Sequence, residues 1–329
     1  MTQHHLTDDF GRRISYLRLS VTDRCDLRCQ YCLPKDFKDF AEPGGWLSYE
    51  EITRVVGAFA RLGLRHLRLT GGEPLVRRDL PALVSQLAAI PGLDDISLSS
   101  NCTRMEKLAE PLARAGVQRL NVSLDSLRPE RFREITGGGK LDKVLRGIEA
   151  ARQAGMGPIK INTVAMAGFN DDEFGELIDF CAEYGYTLRL IETMPVGDTG
   201  RSAQGSYLDL EKVRQRLTAS HGLVPSTMPG AGPARYYRIP GTDSRIGFIT
   251  PISQHFCETC NRVRLSCEGD IYACLGDEHR YNLLQPLRAG CSDEELVEHI
   301  LAAIRLKPER HEFNDKQEKV VRFMSMTGG

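Results

Sequence analysis

Cys25, Cys29 and Cys32 fall within eight residues as C-x3-C-x2-C, and Cys257, Cys260 and Cys274 form a second triple, C-x2-C-x13-C, near the other end of the chain. Cysteines clustered in this way bind metal or do redox work. Structural zinc sites take four ligands, often as paired C-x2-C units. A cubane [4Fe–4S] cluster ordinarily takes four cysteines. Three thiolates on one tight loop suit three of its corners and leave one iron open, as a catalytic zinc keeps a position free for chemistry. For the second triple, spacing alone leaves zinc and iron–sulfur equally open, with Cys267 available as a fourth ligand and His255 as a zinc donor. Cys181, in an apolar helical pattern, and Cys291 read as small buried hydrophobes.

The elements that must position these thiols follow from periodicity. Strand patterns at 16–21, 66–70, 95–99, 119–124, 159–164 and 187–191 alternate with helical patterns at 49–62, 78–90, 105–115, 143–154 and 171–184. Ser48 with Glu51 reads as a capping box. Regular β–α alternation predicts a parallel sheet with right-handed crossovers. The strands are not continuous apolar runs, as a sheet covered on both faces would require. Tyr16, Arg18 and Ser20 oppose Leu17, Leu19 and Val21, while His66, Arg68 and Thr70 oppose Leu67 and Leu69. Asn121, Ser123 and Asp125 oppose Leu120, Val122 and Leu124, and Lys160 and Asn162 oppose Ile159 and Ile161. Side chains alternate across a strand, so one face is apolar and the other polar and cationic. A closed eight-stranded barrel fills its interior with Val, Ile and Leu. Arg18, Arg68, Lys160 and Arg189 there predict an α/β fold of another kind, an incomplete (β/α)6 TIM-type barrel whose lumen holds an anionic ligand. The first cysteine loop leaves the first strand at its C-terminal end, where barrel enzymes place their active sites.

Residues 197–207 are rich in Gly and Ser, and 225–235 in Pro, Gly and Ala. A hairpin is expected at 235–239 and 245–249 around Pro240-Gly241, and a last helix near 293–305. The division falls near 225–232, giving a barrel domain at 1–228 and a C-terminal domain at 229–329.

Forty-three basic against forty-four acidic residues, net −1 over 329 residues, exclude a chain built to coat nucleic acid polymer or anionic membrane. No apolar run of ~18 residues is long enough to span a bilayer. The first fifteen residues hold no apolar stretch, so a cytoplasmic, reducing compartment is expected, and the ten cysteines read as metal ligands rather than disulfides.

The first triple, with Tyr31 before its last cysteine, and Thr70-Gly71-Gly72-Glu73-Pro74 after the second strand resemble the signatures of radical S-adenosylmethionine (SAM) enzymes. With residues 121–127 (NVSLDSL), the run Cys257-x2-Cys260-Asn261-Arg262-x-Arg264, the C-x13-C spacing and the terminal Gly328-Gly329, the sequence from about Arg12 onward is similar to the GTP 3',8-cyclase family of molybdenum cofactor biosynthesis.

That resemblance implies two [4Fe–4S] clusters, one on Cys25, Cys29 and Cys32, the other on Cys257, Cys260 and Cys274, with Cys267 a bystander. It implies SAM contacts at Tyr31, Gly72, Ser123 and Met194, and GTP contacts at Arg18, Arg68, Ser99, Lys160, Arg262, Val263 and Arg264, with Arg189 a further candidate. Gly328 and Gly329 would insert into the active site, where side-chain-free residues thread beside a ligand. The C-terminal iron–sulfur extension would close the lumen. The implied reaction cleaves SAM, abstracts hydrogen from ribose C3' of GTP, joins C3' to guanine C8 and takes up one electron to give the dihydro product. The implied partners are a flavodoxin- or ferredoxin-like electron donor, a cyclic pyranopterin monophosphate synthase that takes the product, and a second copy of the chain in a homodimer. No Walker loop occurs, so scattered cations must hold the triphosphate.

One position departs from the pattern. Cys102 stands where the family reads glycine, which puts the turn and Ser99 in question and places an exposed thiol near the site. Two alternatives remain: a peptide-maturing radical SAM enzyme with an auxiliary cluster, and a zinc-stabilised RNA- or protein-binding module.

Overall fold

The computed structural model describes residues 6–228, 232–313 and 320–328. Strands β1 (Tyr16–Ser20), β2 (His66–Thr70), β3 (Asp95–Ser100), β4 (Arg119–Ser123), β5 (Ile159–Ala165) and β6 (Thr187–Glu192) pair in chain order, all parallel. Between them run helices α1 (Tyr49–Arg61), α2 (Leu80–Ala88), α3 (Met105–Ala115), α4 (Pro129–Ile135), α5 (Leu141–Gln153) and α6 (Phe174–Tyr184). The capping box at α1 forms in full: Ser48 accepts from the Glu51 amide, and the Glu51 carboxylate accepts from the Ser48 amide. Helix α3 stops at Gly116, whose φ of 120° a residue with a Cβ rarely adopts.

Alternation along the strands divides the molecule. Leu17, Leu67 and Ile96 lie in register across β1, β2 and β3, and face a core built with Val55, Phe59, Leu83 and Leu87 from the helices. The other face carries a polar row in which Arg18, Arg68, Ser97 and Arg119 are successive register partners. The six βα units are the incomplete TIM-type barrel that the alternation predicts.

The chain continues with α7 (Gly197–Ser202), α8 (Leu210–His221), β7 (Val224–Ser226), β8 (Arg235–Arg238), β9 (Arg245–Ile249), β10 (Arg262–Leu265), β11 (Asp270–Tyr272), β12 (Arg280–Asn282), α9 (Leu284–Arg288), α10 (Asp293–Arg305) and α11 (Met324–Thr327). The expected hairpin is β8–β9, and α10 lies where the last helix was expected. Helices α4, α7, α8, α9 and α11 were not anticipated.

Two further pairings widen the sheet. Strand β9 adds parallel to β6, and β10 adds parallel to β1. The strand order is β12-β11-β10-β1-β2-β3-β4-β5-β6-β9-β8-β7. Strands β9 and β10 each give their outer edge to an antiparallel partner, so the described strands do not meet to close a barrel. The chain joining β9 to β10 runs from one end of the parallel row to the other and carries Cys257 and Cys260. The division expected between 228 and 229 falls at residues 229–231, outside the described residues.

Candidate active site

The loop after β1 presents Cys25, Cys29 and Cys32 as free, half-buried thiols. A tight turn sets their spacing, with the Cys32 amide donating to the Cys29 carbonyl at 2.9 Å. The end of α4 pins the loop from outside: the Arg28 amide donates to Thr136 O at 2.9 Å and the Gln30 amide to Ile135 O at 3.0 Å. Tyr31 is fixed by its hydroxyl, which donates to buried Asp125 at 2.7 Å. The glycines of Thr70-Gly-Gly-Glu have a definite task. A Cβ at Gly72 would stand 2.4 Å from the Arg24 carbonyl oxygen, and one at Gly71 2.5 Å from that of Thr22. Only glycine lets this turn cross the backbone leading into the cysteine loop, where the Gly72 amide donates to Thr22 O at 2.8 Å.

Glu73 follows and is buried. It accepts from the Asn101 amide at 2.7 Å, the Ser100 hydroxyl at 2.8 Å and the Leu75 amide at 3.0 Å. Burial raises its pKa to about 7, against the pull of those bonds. Asn101, so held, points its amide at Cys25 Sγ, 3.9 Å away. Burial also pushes the Cys32 thiol up to about 12 and those of Cys25 and Cys29 upward. Metal binding here would therefore release protons.

The polar face lines a cavity of 1050 Å³, including its open mouth, at the top of the roughly 300–1,000 Å³ range of small-molecule sites. Arg18, Arg68, Arg189, Arg262, Arg264 and Lys307 line it, and among the described residues no carboxylate does. A recess of 410 Å³ adjoins it, where His66, Ser97, Arg119, Asn121 and Lys160 join Arg68 and Arg189. Burial first, then Arg264 and Arg68, hold Arg18 well below its usual pKa. Burial with Arg322 and Arg262 lowers Arg264 to about 9, and burial with Arg189, Arg119 and Arg68 lowers Lys160 to about 7. Arg189 is steadied by amide oxygens rather than acids, donating to Asn162 at 2.8 Å and to Asn121. Arg18 Nε and Nη2, Tyr16 OH and Ser99 Oγ are buried without a partner. Buried polar atoms of this kind are ordinarily paired.

Cys257, Cys260 and Cys274 line the same cavity. Burial raises the Cys260 thiol, but Lys307 and Arg262 outweigh it and bring the pKa down to about 7. Cys267 is elsewhere: it is buried, and its carbonyl accepts from the Leu47 amide at 2.7 Å. His255 is half exposed and faces Glu258 at 3.5 Å. Among the described residues no three His, Cys, Asp or Glu side chains converge on a single metal ion. Tetrahedral zinc would draw its sulfurs to within about 3.8 Å of one another. A cubane, whose irons each take one thiolate, does not ask for that convergence. Three free thiols in each group are donors suited to such a cluster.

The tail reaches both cysteine groups. Val196, Phe313, Val320 and Met324 form a small core against which Cys32, Met194 and Leu275 pack. Arg264 donates to the carbonyls of Thr327, at 3.1 Å, and Gly328. Gly328 has φ +74° and no room for a Cβ, which would lie 2.2 Å from Thr70 Cγ2. Gly329 lies outside the described residues. Ser123 is exposed at the end of β4.

One expectation is narrowed and one needs correction. Val263 turns its side chain to the core face, 1% exposed and in register with Leu17, because alternation that aims Arg262 and Arg264 inward aims Val263 outward, so a nucleotide contact there falls to its backbone. Cys102 is not an exposed thiol but fully buried, although its φ of 60° does occupy the left-handed region expected of a glycine position. Sequence reasoning also passed over Asp125, Arg119 and Lys307. Asp125 lies two residues past the end of β4 and continues the alternation of Asn121 and Ser123, a signal that could have found it.

Residues 19–181 match the Radical SAM superfamily and residues 186–313 match Molybdenum Cofactor Synthesis C. A GTP 3',8-cyclase of Ectopseudomonas mendocina is 48% identical over 332 residues, covering 100% of both chains, and one of Hydrogenovibrio crunogenus is 45% identical over 98% of this chain and 99% of its own. The chain belongs to the GTP 3',8-cyclase family. As a radical SAM member of that family, it uses an iron–sulfur cluster and S-adenosylmethionine. Among solved structures, Streptococcus suis SuiB bound to S-adenosylmethionine shares the fold at TM-score 0.63 and 15% identity, over 83% of this cyclase-family chain and 65% of SuiB. Likeness at that identity extends to the fold alone, so it does not favour the peptide-maturing alternative. No helix among the described residues is long and apolar enough to cross a membrane.

Proposed function

We propose that this chain converts GTP to (8S)-3',8-cyclo-7,8-dihydroguanosine 5'-triphosphate, the first step of molybdenum cofactor biosynthesis. The observation that carries the proposal is the cavity in which six cations and three cysteines converge without a carboxylate among the described residues. A triphosphate supplies the negative charge that the arginines among those cations lack, and guanidinium forks match phosphate oxygens in pairs.

Cys25, Cys29 and Cys32 would hold a [4Fe–4S] cluster with one open iron, and Cys257, Cys260 and Cys274 a second, in the division at 1–228 and 229–329. When bound there, the cluster and SAM would supply one-electron radical chemistry for hydrogen abstraction at ribose C3'. The chain's own part is binding and orientation. Tyr31, Gly72, Ser123 and Met194 border SAM. Arg18, Arg68, Lys160 and Arg189 gather the triphosphate along the strand row, with Ser99 beside them. Arg262 and Arg264 place the nucleotide near the second cysteine group. Arg264 also anchors the tail, so that Gly328, and Gly329 beyond it, exclude water from the reacting ribose.

The electron enters from a flavodoxin- or ferredoxin-like donor, the product passes to a cyclic pyranopterin monophosphate synthase, and the working unit is a cytoplasmic homodimer. Anaerobically reconstituted protein supplied with SAM, reductant and GTP should hold about eight irons, form 5'-deoxyadenosine and consume GTP. Protein that binds only zinc under those conditions contradicts the proposal, and Cys29→Ser should abolish SAM cleavage.

A further inference from the structure

Lys307 is 3% exposed. Its ammonium donates to Ala273 O at 2.7 Å and Arg262 O at 2.8 Å, and lies 3.5 Å from Cys260 Sγ. An ammonium has three protons to give and nothing to accept with. These three acceptors use all of them.

The acceptors sit on two separate stretches of chain. Cys260 belongs to the turn entering β10 and Arg262 opens that strand, whereas Ala273 follows β11 and immediately precedes Cys274. One side chain thus ties both arms of the second cysteine group. Its own segment is gripped in turn by buried Arg12, which donates to Pro308 O at 2.6 Å, Glu309 O at 2.7 Å and Cys257 O at 2.9 Å, and pairs with Asp8 at 2.6 Å. Arg12 therefore has its carboxylate. Lys307 has none within 4.0 Å among the described residues.

A buried ammonium without a counter-ion is costly, and is kept where some other negative charge offsets it. Here that charge would come from the cysteine sulfurs. A [4Fe–4S] core on three thiolates carries a net charge of about −1, and about −2 after one-electron reduction. A neighbouring positive charge favours the second state over the first.

We infer that Lys307 is a positioning residue for the second cysteine site, holding its two arms together and raising the reduction potential of the cluster bound there. The inference rests on the two-cluster reading above.

The test uses the full chain with Cys25, Cys29 and Cys32 all changed to serine, so that any cluster signal comes from the second site. After anaerobic reconstitution, iron content and the midpoint potential, from a redox titration followed by electron paramagnetic resonance, are compared for Lys307, Lys307→Arg and Lys307→Met. The expected result is a lower midpoint for Lys307→Met and one near the parent for Lys307→Arg. If Lys307→Met loses its iron or fails to fold, retention of iron and signal by Lys307→Arg supports the inference, and loss in both variants overturns it. Full iron with an unchanged midpoint in Lys307→Met overturns it, as do equal shifts in both variants. A parent without any cluster signal contradicts the two-cluster reading itself and removes the basis of this inference.

Discussion

Arg18 and Arg264 are register partners on the adjacent parallel strands β1 and β10, and Arg68 is the partner of Arg18 on its other side, on β2. Like charges opposed across strands destabilise a sheet. These three are brought together in a cavity whose described lining lacks a carboxylate, and two nitrogens of Arg18 have no partner. The row makes sense as half of an interaction whose other half is an anion.

Arg18→Met should accordingly separate stability from binding. Removing one of three opposed half-buried charges should stabilise the free protein by roughly 1 kcal/mol or more. Losing a charge-assisted contact of about 1.5–3 kcal/mol should weaken GTP binding about tenfold or more. Thermal unfolding and equilibrium binding read the two separately. A variant that is less stable and binds GTP as before would contradict the arrangement.

Lys160 links the cavity to pH. Its folded-state pKa is about 7 against an ordinary 10.5, so between those values the unfolded chain binds more protons than the folded one. Its contribution to stability therefore rises with pH through that window, and the penalty is fully present below about 7. Bound triphosphate should restore the proton. Calorimetry of GTP binding at pH 8 in buffers of different ionisation enthalpy should show net proton uptake in the parent and less in Lys160→Met. Equal uptake in both would place the titrating group elsewhere.

Gly328→Ala should displace the tail while leaving the barrel intact, since the new methyl would meet Thr70 Cγ2 and Oγ1 at 2.2 and 2.6 Å and φ is +74°. Turnover should fall at least ~10-fold, equivalent to 1.4 kcal/mol, with iron content and unfolding temperature unchanged. Adding Thr70→Ala, which removes both atoms, should recover part of the loss. Full activity in the single variant would show that the tail does not work where it lies.

Cys102 offers a test away from the chemistry. Cys102→Gly relieves a left-handed residue but loses a buried side chain and loosens the unfolded chain, so stability should stay within about 1 kcal/mol and activity should persist. Burial raises its thiol pKa, so the native thiol should resist maleimide until the protein unfolds. Rapid labelling in the native state would mean that the left-handed turn opens.

Much of this was legible in the sequence, because alternation and cysteine spacing are local. The six strands and the cationic face of Arg18, Arg68, Lys160 and Arg189 follow from period two alone. Arg262-Val263-Arg264-Leu265 has the same alternation as β1, so the strand and the outward turn of Val263 were available. Its parallel pairing with β1 was not, since the partners are separated by more than two hundred residues and no local pattern records which edge a strand will choose. Lys307 and Arg12 were invisible for a related reason. Each acts through backbone carbonyls supplied by distant segments, and no residue-type pattern encodes those.

The central claim is that a radical made from SAM takes hydrogen from C3' of a GTP held in this lumen. It is tested most directly with GTP deuterated at C3', in an anaerobic assay read by mass spectrometry of the 5'-deoxyadenosine formed. The account predicts GTP-dependent 5'-deoxyadenosine carrying the deuterium. Unlabelled 5'-deoxyadenosine formed at the same rate with or without GTP would contradict it.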